Sequence, residues 1–236
     1  HTPHELFGEC AALEAAIARG EAAAQQTMLP FGVSLNADPA QTVAVVQRRA
    51  REALRLPVDA EIVLCVAKLD RAYKRIDLLI EAVAALPEPR PFLLLVGADG
   101  PEGAGLRELA AARCGTHWAW RSLAKEAMPT AYAAADRFAL FSHNEGFGLA
   151  YLEALAAGLP VLANDDPTTR YVIGDAGTLR AICDVQTGRA ALEALRALPT
   201  DVRSARARRE AVRTRFSWEV LRPAYVDLLQ RVAAAS

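Results

Sequence analysis

The chain has only four cysteines, and none of them stands in a Cys-x-x-Cys pair. They are Cys10, Cys65, Cys114 and Cys183. Residues spaced so widely indicate reduced thiols in a cytoplasmic protein, and they argue against both a zinc site and a disulfide framework. His117 and His143 also lack partners at a ligand spacing, so the sequence predicts no metal site.

Excess charge of either sign is also missing, since the formal net charge is −1. This balance predicts no general attraction to nucleic acid. Apolar runs are too short to span a bilayer; FLLLVGA at 92–98 reads as a buried strand. One local exception is a basic helical stretch, predicted to be a solvated face, with contact at the inner face of a membrane as the alternative. Its arginines are Arg203, Arg206, Arg208, Arg209, Arg213 and Arg215.

What the sequence does contain is a regular alternation of apolar β-rich runs with helical patterns. Strands are predicted at 61–69, 91–97, 117–121, 137–142 and 160–164, and helices at 75–86, 105–114, 129–135 and 149–157. Strands that are apolar throughout and separated by helices predict an α/β fold, with a Rossmann-like parallel sheet flanked by helices. After Gly174 the pattern is mostly helical.

The first residues fit this alternation poorly. ELFGECAALEAAIARGEAAA reads as one alanine-rich helix, followed by a short TMLPFGV strand and turn. We therefore expect residues 1–29 to be a helix and linker left over from another domain, and residues 30–236 to form the α/β domain.

The segment NEGFGLAYLEALAAGLPV at 144–161 joins a strand to a helix through a glycine-bracketed turn. Such a helix start attracts phosphate, and ligands of open parallel sheets bind at the edge where the strands end. Gly146 and Gly148 would let the backbone approach a ligand closely. The alternative is that these glycines only make a tight turn around Glu145.

Glu153 is the only charged side chain between Gly146 and Asn164, in a helix that is apolar all round. A buried carboxylate needs hydrogen bonds or a partner charge. The pattern favours a pair of ligand hydroxyls over a structural partner such as an arginine. Eight helical residues span about 12 Å, whereas two carboxylates that cleave a glycosidic bond lie about 5–9.5 Å apart. We therefore expect Glu145 and Glu153 to bind different parts of one elongated ligand.

Basic residues follow the first predicted strand in AKLDRAYKRID. Lys68 ends the strand and Lys74 opens the next helix, so both are expected at the carboxyl edge, where they could neutralise a diphosphate. Arg71 and Arg75 are predicted to lie in a solvated turn. GADGPEG at 97–103 lacks the G-x-G-x-x-G order and reads as a turn bordering the site, which disfavours an NAD-dependent oxidoreductase.

Together these segments resemble the retaining, nucleotide-sugar-dependent glycosyltransferases of GT-B architecture, the group 1 type, from about Pro30 onward. EGFGLAYLEALAAGLPV resembles the Glu-x7-Glu signature of that family, and VAKLDRAYKRIDLLIEAV resembles its phosphate-binding segment. LLLVGADG, LPFGV, AYAAADRFALFS and FSW are similar to further landmarks of the family.

The resemblance implies a role for each matching position. Glu145 would hold hydroxyls of the donor sugar, and Glu153 would bind both ribose hydroxyls. Backbone groups of the elbow would contact sugar or diphosphate, and residues 121–123 would border the base unless they are plain loop residues. The implied catalytic residues are Glu145, Lys68 and Lys74, and the implied donor-binding residues are Gly146, Phe147, Gly148, Leu149, Glu153, Arg121, Ser122 and Leu123.

The chain departs from the family pattern at two positions. Ala67-Lys68 stands where the family usually has Gly-Arg, and Tyr171 stands where a glutamate is common. The family's N-terminal domain, which would bind a sugar, lipid or other hydroxyl acceptor, is not apparent. The resemblance thus implies the donor-binding half of a hexosyltransferase that needs neither metal nor cofactor and is inactive alone. The alternatives are a binding domain without turnover, and a nucleotide-sugar isomerase or hydrolase of the same fold.

Overall fold

The structure, a computed structural model, describes residues 29–33, 35, 43–143 and 145–234. The predicted N-terminal helix therefore lies outside the described residues. Within them, the strands are β1 (Ile62–Val66), β2 (Phe92–Val96), β3 (Trp118–Arg121), β4 (Arg137–Leu140), β5 (Val161–Asn164) and β6 (Thr178–Arg180). They form one six-stranded parallel sheet in the order β3-β2-β1-β4-β5-β6.

Helices cover both faces of this sheet. They are α1 (Val43–Ala53), α2 (Ile76–Ala84), α3 (Gly103–Cys114), α4 (Met128–Ala134), α5 (Leu149–Ala156), α6 (Pro167–Ile173), α7 (Val185–Arg196), α8 (Val202–Phe216) and α9 (Trp218–Ala234). α2 packs against α3 and α7, α1 packs against α4, and α5 packs against α8. The central strands are buried along their whole length or nearly so, as their apolar sequences require. The predicted Rossmann-like α/β class is confirmed.

The order of the strands creates a crevice beside β1. The chain runs outward from β1 to β2 and β3, and then returns to place β4 on the other side of β1. Where strand order reverses in this way, the loops after the two central strands diverge and leave room for a ligand at the carboxyl edge. The loops at 67–75 and 141–148 follow β1 and β4, and they meet at this point.

The sequence prediction needs correction in two places beyond Gly174. First, the short edge strand β6 interrupts the region predicted to be mostly helical; its three residues are half-buried or exposed, so they lack the apolar run that marked the other strands. Second, the basic stretch is not a uniformly solvated face. Arg208 is only 9% exposed and donates to the carbonyl of Gly158 at 2.9 Å.

Residues 29–33, at the start of the described chain, pair with the rest through a parallel β-bridge. Val33 pairs with Ser217, between α8 and α9, and the Val33 N–H donates to the Phe216 carbonyl at 2.8 Å. Of the short strand and turn expected at TMLPFGV, residues 29–33 are described, and within them Val33 forms this bridge. Of the helices in the described ranges, none combines the length and the apolar character that crossing a membrane requires.

Candidate functional site

Lys74 and Glu145 meet in the crevice between β1 and β4, although they lie 71 residues apart in the sequence. The Lys74 ammonium donates to both carboxylate oxygens of Glu145, at 2.9 Å and 2.7 Å. The two side chains are 26% and 12% exposed, so the pair is partly shielded from water but still reachable. The sequence predicted both residues at this edge, and the structure brings them into direct contact.

The loop that carries Lys74 is held by its own hydrogen bonds. Asp70 accepts from the backbone N–H groups of Tyr73 at 2.6 Å and Lys74 at 3.2 Å. The Tyr73 hydrogen bond is the main reason why the pKa of Asp70 is lowered, so this carboxylate stays ionised in its supporting role. The His143 N–H donates to the Tyr73 carbonyl at 2.7 Å, which ties this loop to the one after β4.

Arg75 fixes the other end of the same loop. Its backbone is left-handed (φ 50°, ψ 43°) just before α2 begins. Its guanidinium donates to the carbonyls of Ile182 at 2.6 Å and Cys183 at 3.2 Å, across the loop after β6. The solvated position predicted for Arg75 is therefore wrong. Arg71 does lie exposed, within 3.6 Å of an Asp77 carboxylate oxygen.

The two glycines of the elbow differ in what they contribute. Gly148 has φ +83°, and an added Cβ would lie 2.6 Å from the Tyr151 ring, so this position needs glycine for the backbone to turn into α5. Gly146 is exposed, and nothing lies within 4 Å of where its Cβ would be. It follows Glu145 directly and leaves the backbone there open to solvent.

α5 begins directly after Gly148, which has no side chain to cap the first turn. The N–H groups of that turn and the positive end of the helix dipole can therefore bind an anion. Leu149 is 41% exposed at this end. Phe147 anchors the elbow from below, with its ring 5.3 Å from Phe31 and 6.0 Å from Phe216.

Lys68 follows β1 and has an exposed side chain. It lies beside the 97–103 turn, where its Cε is 3.1 Å from the position that a Cβ on Gly100 would take. Gly97 approaches the same loop so closely that an added Cβ would lie 2.0 Å from the Ala67 carbonyl oxygen. The turn after β2 thus borders the crevice, and Lys68 lies exposed beside that turn.

Glu153 lies half-buried on α5 and accepts a hydrogen bond of 2.6 Å from the Tyr132 hydroxyl. In the described part of the chain, no arginine or lysine pairs with Glu153. The sequence reading missed Tyr132 because it lies in the apolar run AYAAA, which indicates only a packed helix. A buried tyrosine does need a partner for its hydroxyl, and that need is the one signal that could have pointed to it.

Residues 121–123 lie at the carboxyl end of β3. The Arg121 guanidinium donates to the Leu54 carbonyl at 2.7 Å and 3.1 Å and to the Trp120 carbonyl at 2.9 Å, so its side chain holds the end of α1. Ser122 is exposed and Leu123 is half-buried against the core. Arg121 is half-buried as well, so all three residues keep surface that a base could contact.

Buried groups form the floor of the site. Burial raises the pKa of Cys65 to about 12, although the nearby Lys74 opposes the rise, so this thiol stays neutral. The Tyr151 hydroxyl donates to the Leu140 carbonyl at 3.1 Å, and burial raises the pKa of Tyr151 well above its usual value. Both groups therefore stay protonated at neutral pH.

Beside the crevice opens a cleft of about 490 Å³ that Arg71, Arg75, His143, Asn164, Asp165 and Cys183 help to line. Among the described residues, His, Cys, Asp and Glu side chains form no group of three or more that could hold a metal ion. The arrangement is instead suited to an elongated anionic ligand with hydroxyl groups. Its donors are the Lys74 ammonium and the N–H groups at the start of α5, and its acceptors are the carboxylates of Glu145 and Glu153.

Comparison with known families agrees with this geometry. The family described as "Glycosyl transferases group 1" matches residues 46–215, and this range includes all six strands of the described sheet. The matched range therefore contains both loops of the crevice and the whole of α5.

Two similar relatives are D-inositol 3-phosphate glycosyltransferases. The protein from Xylanimonas cellulosilytica is 33% identical over 211 residues, covering 85% of this chain and 50% of the relative. The protein from Saccharomonospora viridis is 35% identical over 202 residues, covering 79% and 46%. The chain thus spans about half the length of the relatives it matches.

Solved structures show the same fold. Sucrose-phosphate synthase from Thermosynechococcus elongatus superposes with a TM-score of 0.73 at 28% identity, covering 94% of this chain and 57% of that one. HepE from Anabaena, solved with UDP and glucose, gives a TM-score of 0.74 at 21% identity, covering 92% and 60%. At that identity the second likeness bears on the fold alone.

Proposed function

The chain belongs to the group 1 glycosyl transferases, and we propose that it is the part of a retaining, metal-independent enzyme that binds the nucleotide-sugar donor. The observation that carries this proposal is the contact between Lys74 and Glu145 at the crevice beside β1. A cation that would bind the diphosphate and a carboxylate that would accept from sugar hydroxyls then lie one hydrogen bond apart.

The chemical step in this proposal depends on charge that builds up on the leaving diphosphate. Lys74 and the first-turn N–H groups of α5 would bind that charge more strongly in the transition state than in the bound donor, which is what lowers the barrier. Lys68, which lies exposed after β1, would add a second cation. These groups would supply the stabilisation that a metal ion provides in metal-dependent enzymes.

Glu145 has a second task, because its carboxylate accepts from Lys74 and still has unused lone pairs. Donor hydroxyls would take these lone pairs, so that Lys74 and Glu145 together fix the sugar relative to its phosphate. Glu153, farther along α5, would accept from the ribose. The order sugar, diphosphate, ribose then runs along the elbow and the helix.

The acceptor is a further proposal, because the chain spans about half the length of the relatives it matches. The relatives act, by their names, on D-inositol 3-phosphate, and a related structure is that of sucrose-phosphate synthase. We propose a hydroxyl compound of this general kind, a sugar or other polyol, and a hexosyl donor. The acceptor would approach the anomeric carbon from the side of the leaving phosphate, which gives retention of configuration.

The proposal is tested by calorimetric titration with UDP-, GDP-, ADP- and dTDP-sugars and with the free nucleoside diphosphates. Lys74→Ala is expected to weaken diphosphate binding about 10- to 100-fold, because hydrogen bonds between charged groups contribute about 1.5–3 kcal/mol each. Arg113→Ala is the matched control: it also removes one cation, from an exposed residue in the last turn of α3 that pairs with Glu81. It should leave binding unchanged.

Glu145→Gln separates the two roles of the pair. This variant should bind the free diphosphate as the parent does, or more tightly, since Lys74 is released. Its affinity for the corresponding nucleotide sugar should fall about tenfold, the effect of one or two weakened hydrogen bonds. If Lys74→Ala bound the donor as tightly as the parent, the proposal would be wrong.

A rival proposal is a domain that binds nucleotide sugars without transferring the sugar. The match to only about half the length of the relatives supports this rival. A transfer assay run beside the titration, with a mixture of polyol acceptors, separates binding from turnover. Free sugar released without an acceptor would instead point to hydrolysis.

A further inference from the structure

Tyr132 and Glu153 form a contact that the donor-binding scheme does not require. Tyr132 lies on α4, 21 residues before Glu153, and its hydroxyl lies 2.6 Å from the Glu153 Oε2 atom. Tyr132 is only 5% exposed, whereas Glu153 is half-buried. The tyrosine therefore reaches the carboxylate from the protein interior, and Glu153 keeps a partly exposed surface.

Packing holds the Tyr132 ring in place. The ring lies 6.3 Å from the ring of Phe138 on β4, which in turn lies 5.8 Å from Tyr151 on α5. These aromatic residues join α4, the sheet and α5, so the tyrosine hydroxyl cannot follow a moving carboxylate. It defines instead where one oxygen of Glu153 stays.

A phenol differs from the arginine that a buried carboxylate commonly meets. Burial and the neighbouring Glu153 raise the pKa of Tyr132 well above its usual value, so the hydroxyl keeps its proton and only donates. It orients the carboxylate but does not neutralise its charge. Glu153 thereby remains a strong acceptor, with Oε1 and the remaining lone pairs of Oε2 available to two hydroxyl groups.

We propose that Tyr132 is a positioning residue that holds Glu153 for the ribose hydroxyls, and so makes the site select ribonucleotides over 2′-deoxyribonucleotides. This inference rests on the proposed function. A site built to bind a hydroxyl rejects the analogue that lacks it, because its polar groups are then left without a partner. The selection depends on a fixed carboxylate, since a mobile one can turn to water when the hydroxyl is missing.

The test compares dissociation constants of UDP, GDP and ADP with those of their 2′-deoxy counterparts, by calorimetry on the chain as it stands. The parent should prefer the ribonucleotide about tenfold for its best base. Tyr132→Phe should bind the ribonucleotide less tightly and the deoxyribonucleotide as before, which reduces the preference to about threefold or less. Glu153→Gln, a second variant of unchanged shape, should reduce it likewise.

Tyr225→Phe is the matched control. Tyr225 lies on α9, and the substitution likewise removes a tyrosine hydroxyl, one that donates to the Pro30 carbonyl at 2.9 Å. It should keep the full preference, and the melting temperature of each variant reports whether it is folded. A purely structural role for Tyr132 would change the dissociation constants of the ribonucleotide and the deoxyribonucleotide by the same factor. If Tyr132→Phe leaves the ratio of these two constants unchanged, the inference is wrong. A parent that binds diphosphates without any preference also overturns it, whereas a parent that binds none refutes the proposed function as well.

Discussion

Arg75 performs two opposing tasks at one position. Its left-handed backbone lets the chain turn from the Lys74 loop into α2, and its guanidinium ties that loop to the carbonyls of Ile182 and Cys183. A left-handed conformation costs a residue with a side chain about 1–2 kcal/mol. The hydrogen bonds of its guanidinium offset this cost, and they fix the end of the loop that carries Lys74.

Substitution of Arg75 separates these two contributions. Arg75→Ala should lower the free energy of unfolding by about 1–3 kcal/mol, because it loses the hydrogen bonds and keeps the unfavourable backbone. Arg75→Gly also loses the hydrogen bonds, but glycine adopts the left-handed backbone freely, so it should be about 1 kcal/mol more stable than Arg75→Ala. Urea denaturation of both variants measures the difference. A glycine variant less stable than the alanine variant would show that the backbone is not under strain.

At this scale the sequence predicted the position of Lys74 and Glu145 at the carboxyl edge, because each follows an apolar strand and such strand ends share one edge of a parallel sheet. It could not predict that they touch, since the contact joins two loops whose strands are neighbours only in the folded order. It also missed the role of Arg75, because a left-handed residue in a loop is usually glycine or asparagine. Tyr132 stayed hidden because a fully apolar helix gives no sign of where one hydroxyl points.

Among the elements, α8 supports the end of α5 that lies away from the site. Arg208 donates to the Gly158 carbonyl at 2.9 Å, and Arg209 donates to the Ala156 carbonyl at 3.0 Å. These carbonyls belong to the last turn of α5 and the residues just after it, where cations are favourable. The arginines thus stabilise the helix whose opposite end is proposed to bind the diphosphate.

Arg208→Ala is therefore expected to destabilise the fold by about 2–3 kcal/mol, as removal of a buried donor leaves carbonyls without partners. Arg203→Ala, on the exposed side of the same helix, should change stability by less than about 0.5 kcal/mol. Urea denaturation of the two variants provides the comparison. Equal effects would mean that the whole stretch is solvated, as the sequence alone indicated.

The strands show why elements are predicted unevenly. β1 and β2 are apolar throughout, and β3, β4 and β5 are apolar except for one end residue each. The predicted positions of all five agree with the structure to within a few residues. β6 lacks such a run because it lies at the edge of the sheet, half-exposed, so hydrophobicity gives no signal there. The sequence also could not predict which face of α8 is buried. Arginine is common on solvated faces, and only the folded structure shows which arginines of α8 are buried.

For the molecule as a whole, the strand order explains the location of the site. The sequence predicted a parallel sheet, but alternating strands and helices are common to every order of a doubly wound sheet, so the order itself could not be read. The structure places β1 between β2 and β4, and this makes the crevice. The family match then covers the crevice entirely.

The central claim is that this crevice binds the diphosphate of a nucleotide sugar. The most direct measurement is a crystal structure of the chain with a saturating nucleoside diphosphate. We expect phosphate oxygens within about 2.7–3.2 Å of the Lys74 ammonium and of N–H groups at the start of α5, with the ribose at Glu153. A nucleotide bound elsewhere, such as on the arginines of α8, with the Lys74–Glu145 pair free of ligand, would contradict it.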